Sequence, residues 1–180
     1  MTDTTRRICI QNWATYNEGR LDGRWYDLED YADLEALEAA VKANNRADAE
    51  EFMLADFEGF PDGLITENTH YSKALEISQQ LDDVDDMAVL LAYIDAVGIH
   101  YAELPELIEQ AEGRHRGTAD NEKEFAEEYA AQAGYIPQDS FPSDSPFRYI
   151  DWQWYWDGQL RFSFVTGNDS EGNLHFFTND

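Results

Sequence analysis

The side chains that could do chemistry in this sequence are overwhelmingly carboxylates. Asp and Glu number 38 against 12 Lys and Arg, a formal net charge of −26 in 180 residues. Other reactive groups are sparse: His70, His100, His115, His175 and a single cysteine, Cys9. The histidines are scattered and match neither HExxH nor a related zinc motif, and no GxSxG, P-loop or GxGxxG sequence occurs. Among so many carboxylates some pair always lies close, so proximity alone is no sign of an acid–base dyad. The run Asp82-Asp83-x-Asp85-Asp86 could chelate calcium in principle. It lacks the glycine turn and distal glutamate of an EF-hand loop, and it reads as the first turn of a helix, where the dipole favours acids. Asn168-Asp169-Ser170-Glu171-Gly172 reads as a hairpin turn. One cysteine excludes an internal disulfide and a Cys-based zinc site, and Cys9 in the apolar run Ile8-Cys9-Ile10 reads as a buried thiol. The expectation is a protein that is not an enzyme and uses no metal or cofactor.

A charge of −26 far exceeds the magnitude of about 2–8 usual for a small domain, and its self-repulsion opposes compaction. Three causes are open: a halophile-adapted interaction domain, a carboxylate metal-binding protein, or a surface made for a basic partner. A nucleic-acid ligand is excluded, because this surface repels phosphates. With 43% hydrophobic and 14% aromatic residues the chain has material for a core, unlike acidic disordered tails. No apolar stretch approaches the ~20 residues of a membrane span, and no apolar region follows Arg6-Arg7. The expected location is cytoplasmic, with no membrane partner.

These carboxylates must be carried by mixed α and β elements. Arg7–Trp13 and Arg24–Leu28 read as strands, and Leu34, Leu37 and Val41 recur at helical spacing up to Asn44-Asn45. The aromatic segment Glu51–Phe57 ends in the turn cluster 58–63 and completes a three-stranded sheet. Helices are expected over Thr69–Gln80, Asp83–Val97 with Gly98 at its end, Pro105–Ala111 and Asn121–Ala133. The basic stretch Gly113–Gly117 reads as a loop, as does Pro137–Pro146. Phe147–Trp156 reads as an aromatic helix, and Leu160–Val165 with Leu174–Phe177 as a closing hairpin. The fold class is α+β, with three small domains: 1–62 (sheet plus helix), 63–113 (acidic and helical) and 114–180 (mixed). Trp152, Trp154, Tyr155 and Trp156 form a cluster suited to a core or a dimer contact, and a dimer contact is expected there.

Most of the acid lies in the middle, with a net of −9 over residues 26–60 and −11 over 61–112. A solvated helix face normally mixes signs, with Glu–Lys pairs one turn apart. Here the lysines are only Lys42, Lys73 and Lys123, so the acid is uncompensated. Residues three or four apart on a helix lie about 5–6 Å from one another, a spacing comparable to that of backbone charges in a nucleic acid. Two copies of the chain carry the charge of roughly 90 Å of duplex, at about one charge per 1.7 Å of axis. The geometry suits imitation of a duplex. The carboxylates expected to form that surface are Asp27, Glu29, Asp30, Asp33, Glu35, Glu38, Asp82, Asp85, Asp86, Asp95, Glu103, Glu106, Glu109, Glu112, Glu124, Glu127 and Glu128.

The sequence also resembles a known family. Ile10-Gln11-Asn12-Trp13 with Glu18-Gly19 and Arg24-Trp25-Tyr26-Asp27-Leu28 is similar to the N-terminus of the ArdA antirestriction proteins. So are Phe52–Pro61, Phe125-Ala126-Glu127-Glu128-Tyr129 with Gly134, and Tyr149-Ile150-Asp151-Trp152, in collinear order. Asp56–Pro61 is the most specific piece. The resemblance implies an elongated homodimer of three-domain chains, joined through the last domain. It also implies mimicry of bent B-form DNA in the groove of type I restriction–modification enzymes, on behalf of a mobile genetic element. It places the family's acidic antirestriction region on the helix of Glu124, Glu127 and Glu128. The tail after Asp157, with its Gly167–Asn173 turn, departs from the family pattern.

Overall fold

The computed structural model describes residues 5–45, 51–99, 104–137 and 144–179. The fold is α+β, with two small antiparallel sheets. The chain gathers into two compact units, one holding Met1–Val84 and His100–Leu104, the other Asp85–Ile99 and Pro105–Asp180.

In the first unit, β1 (Arg7–Asn12) is the central strand between β2 (Arg24–Asp27) and β3 (Phe52–Glu58). Ile8 faces Tyr26 on one side and Phe57 on the other, and Ile8, Ile10 and Tyr26 are buried on one surface of the sheet. Alternation would leave Cys9 and Gln11 on the outer surface. The segment before β2 covers them instead: Gln11 Nε2 donates to the Arg20 carbonyl at 2.6 Å, and Gly23 lies directly over Cys9 Sγ. Cys9 is thus a buried free thiol, as its apolar run suggested. Burial, and then the charge of Asp56, push its pKa up, so it stays protonated.

Trp13 does not extend the strand. Asn12 Oδ1 accepts from Ala14 N at 2.7 Å and caps a short helix, α1 (Trp13–Asn17), so the strand expected through Trp13 ends at Asn12. Helix α2 (Leu34–Ala43) buries Leu37 and Val41, and Asn44 ends it. Its N-cap is Asp33, whose Oδ1 accepts from Ala36 N at 2.8 Å. Asp33→Ala is expected to lower the stability of this unit by about 1 kcal/mol in denaturant unfolding, the usual loss for an N-cap. Helix α3 (Tyr71–Asp82) begins later than Thr69, because the His70 ring caps it through Nδ1. Its inner residues Ala74, Leu75, Ile77 and Leu81 are buried.

The second unit is layered. Its sheet has the order β4 (His115–Ala119), β6 (Leu174–Thr178), β5 (Phe164–Asn168). Helix α4 (Met87–Val97) packs on one surface: Gly167 abuts the Ala92–Ala96 turn and Phe177 meets Tyr93 with ring centroids 5.0 Å apart. Helix α5 (Leu104–Arg114) joins α4 through Tyr93 OH, which donates to Gln110 Oε1 at 2.9 Å. The opposite surface carries Phe164 and Phe176 against α6 (Glu122–Gln132) and α7 (Trp152–Gly158). Phe125 stacks on Phe176 at 3.9 Å and meets Trp156 edge-on at 6.0 Å.

Several element bounds differ from the sequence reading for physical reasons. The basic stretch 113–117 is the end of α5 followed by β4, because β6 offers it a pairing edge, with His115 opposite Phe177 and Thr118 opposite His175. The aromatic segment is split. Pro146–Tyr149 forms a 3-10 turn, and Asp151 then caps α7 by accepting from Trp154 N at 3.0 Å. Leu160–Phe162 is a 3-10 turn that buries Leu160, so the hairpin starts at Phe164. Most of the loop expected over 137–146 falls outside the described residues. Among those described, no helix is long and apolar enough to cross a membrane.

Candidate interaction surface

Local helix chemistry decides which carboxylates are available to a partner. Asp27 ends β2, and Glu29 and Asp30 lie on the 3-10 turn 28–30 whose Leu28 is buried; all three acids are exposed. The neighbouring Tyr31 phenol is pushed up by burial, then by Tyr26, Asp30 and Asp27, as a concentration of negative charge requires. On α2, Glu35 is exposed, whereas Glu38 is half-buried and pairs with Lys42 at 3.6 Å. Burial, then the Glu38 charge, likewise raises the pKa of Tyr71.

The acidic run at 82–86 is not the first turn of a helix. Asp82 closes α3, Asp83 is its C-cap, and Asp86 is the N-cap of α4, accepting from Ala88 N at 3.0 Å. Val84 and Asp85 form the connection, because α3 packs through Leu81 and must end before α4 begins. Asp82 is ion-paired with Arg6, whose Nε also donates to Ser78 Oγ at 2.9 Å. No group of three or more His, Cys, Asp or Glu among the described residues is arranged to hold a metal ion. Asp95 is exposed but accepts from Asn168 N at 2.9 Å, tying α4 to the end of β5.

Glu103 lies outside the described residues. Glu106, Glu109 and Glu112 are all exposed at three-residue spacing along α5. Only Glu106 has a partner, the Gln110 amide at 2.8 Å. On α6, Asn121 caps the first turn, Phe125, Ala126 and Ala130 face the core, Glu124 and Glu128 are exposed, and Glu127 is half-buried. The sixteen expected carboxylates among the described residues thus fall into two groups. Asp33, Glu38, Asp82, Asp86, Asp95 and Glu106 already hold parts of this chain together. Asp27, Glu29, Asp30, Glu35, Asp85, Glu109, Glu112, Glu124, Glu127 and Glu128 make no ion pair or side-chain hydrogen bond among the described residues, and they carry the uncompensated field.

The aromatic cluster divides along α7. Trp152 and Trp156 are 6% and 7% exposed and belong to the core, Tyr155 is half-buried against it, and Trp154 stands 71% exposed. Tyr135, Tyr149 and Phe162 are the other strongly exposed aromatics among the described residues of this unit.

The fold also assembles a cluster that the linear sequence conceals. Three side chains from β4, β6 and the β5–β6 turn meet in it. His175, 4% exposed, places Nδ1 at 3.1 Å from His115 Nε2 and Nε2 at 3.3 Å from Asp169 Oδ2. Asp169 also accepts from Glu171 N and Asn173 N at 2.9 Å and from Asn173 Nδ2 at 2.8 Å. These bonds, led by the Asn173 amide, hold its carboxyl far below the usual range. His115 and His175 are sixty positions apart, so only the pairing of β4 with β6 could reveal them; Asp169 read correctly as a turn residue but not as a histidine partner. His70 is a helix cap, and His100 lies outside the described residues.

Comparison with known proteins finds that the family model described as antirestriction protein (ArdA) matches residues 8–169. No curated protein matches the chain.

Proposed function

We propose, for a chain that belongs to the ArdA antirestriction family, that inhibition works by DNA mimicry in the binding groove of type I restriction–modification enzymes. The observation that carries this reading is the set of exposed carboxylates on α2, α5 and α6 that have no partner among the described residues, repeated at one-turn spacing and hardly diluted by lysine. A groove built for a duplex presents Lys and Arg to phosphates and gains affinity by releasing counterions. A folded acidic surface offers the same exchange: its own condensed cations leave when it docks. The protein acts stoichiometrically on a basic protein and is an inhibitor rather than an enzyme.

The same reading makes the chain a cytoplasmic homodimer of three-domain protomers, carried by a mobile element. Trp154 is the member of the expected dimer contact best exposed to a second copy. The direct test is ATP-dependent DNA cleavage by a purified type I enzyme, titrated with this protein at moderate salt. Complete inhibition near one dimer per enzyme is expected, with apparent affinity falling steeply and linearly on a log–log plot against salt. Absence of inhibition across several type I systems, with the protein shown to be folded, removes the reading.

A further inference from the structure

We infer that His115, His175 and Asp169 form a proton-operated lock on the C-terminal sheet, closed when the histidine pair holds at most one extra proton and released by the second. The lock is independent of the antirestriction reading. It follows from donor and acceptor counting. Asp169 already accepts three bonds from the turn backbone and the Asn173 amide, so it is an ionised acceptor and the proton on its bond to His175 must sit on His175 Nε2. With both rings neutral, His175 Nδ1 is then an acceptor, and His115 Nε2 must donate across the 3.1 Å contact. The two tautomers are thereby specified.

One added proton is tolerated. On His115 Nδ1 it leaves the inter-ring bond intact; on His175 Nδ1 it reverses that bond and makes an imidazolium–carboxylate pair with Asp169. A second proton leaves an N–H on both facing nitrogens, and the contact becomes a repulsion between two cations with no room for water between them. Burial and the neighbouring His175 both push the His115 pKa down, in the same direction.

The surroundings decide what then moves. From α4, Asp86 attracts a charged His115, while Asp95 holds Asn168 N and Tyr93 packs on Phe177. Along β4, a hydrogen bond to the Gly117 backbone favours a charged His115, and Arg116 opposes it. The other surface of the sheet presents Phe164 and Phe176 to α6 and α7. His115 is the half-buried member at the start of β4, where the β4–β6 register is already irregular, so the His115 end of β4 is what separates.

The sign follows from linkage. A histidine with a depressed folded pKa contributes stability that is complete above its unfolded value near 6.5 and is lost as pH falls through the folded value. Between pH 7 and pH 5 the unfolding equilibrium constant should therefore rise through this group. Partial protonation of the many carboxylates works in the opposite direction, so the comparison must be made against a variant with the same acids. His115→Gln supplies it: the amide can still donate to His175 Nδ1, and it does not titrate. The test is urea unfolding of both proteins at pH 7 and pH 5, with histidine nitrogen NMR on the parent. The expected result is a parent that loses more stability than H115Q on acidification, with both rings in the Nε2–H tautomer at pH 7.5. An identical pH response in the two proteins, or two imidazoles titrating independently at ordinary values, overturns the lock.

Discussion

Replacing Glu109, Glu112, Glu124, Glu127 and Glu128 together by Gln is expected to weaken inhibition of a type I enzyme by roughly 30- to 100-fold, while each single change weakens it no more than about fivefold. Exposed charge pairs contribute about 0.2–1 kcal/mol each, and about 1.4 kcal/mol is tenfold in affinity, so five such contacts reach this range and one does not. These positions are chosen because none is engaged within the described chain, so their loss should not unfold it. Asp33, Asp86 and Asp95 make the contrast, since they cap helices or bridge α4 to β5. Their alanine variants should move the melting temperature before they move inhibition. The salt slope offers a second readout: fewer neutralised contacts give a shallower dependence. A single Glu→Gln change abolishing inhibition would contradict mimicry, because no one phosphate dominates a duplex.

Gly167→Ala is expected to be the most damaging small substitution for the fold. A β-carbon at Gly167 would run into the Ala92 carbonyl and lie 2.8 Å from Ala96 N, both backbone atoms of α4. Backbone cannot rotate aside as a side chain can, so the helix must lift from the sheet. Lifting it loosens Tyr93 from Phe177 and strains the bond from Asn168 N to Asp95. Overpacking of this kind loses about 1–3 kcal/mol, a fall of roughly 5–20 °C in melting temperature for a unit of this size. Gly113→Ala is the control: nothing lies within 4 Å of its β-carbon, and in the last turn of α5 alanine should be neutral or stabilising by up to about 1 kcal/mol. Equal melting temperatures for G167A and the parent would show that α4 does not pack so closely.

The first expectation rests on what the sequence alone carries, the second on packing that only the fold creates. Net charge, the scarcity of lysine and the one-turn recurrence of Glu on α5 and α6 are properties of the chain itself, and they place acids opposite the apolar stripes of their helices. The strands of the first sheet, the Gly98 end of α4 and the helix α6 were equally legible, because turn residues and apolar periodicity mark each within a few residues. The β4 strand was not. Arg114-His115-Arg116 carries no apolar alternation, and its extended form comes from pairing with β6, sixty residues away. The split of the aromatic segment and the 3-10 turn at Leu160 likewise reflect long-range burial against Phe125 and Phe176, which overrides local propensity.

The sequence by itself determined the sign and density of the surface, and hence the kind of partner it can meet. The tertiary structure alone decided which carboxylates are free, since a cap or a bridge is defined by the backbone amide it finds. It alone brought His115, His175 and Asp169 into one hydrogen-bonded cluster. Charge adds along a chain regardless of its path. Hydrogen bonds and close packing depend on atoms meeting within about 3 Å, and only the folded path brings residues sixty positions apart to that distance.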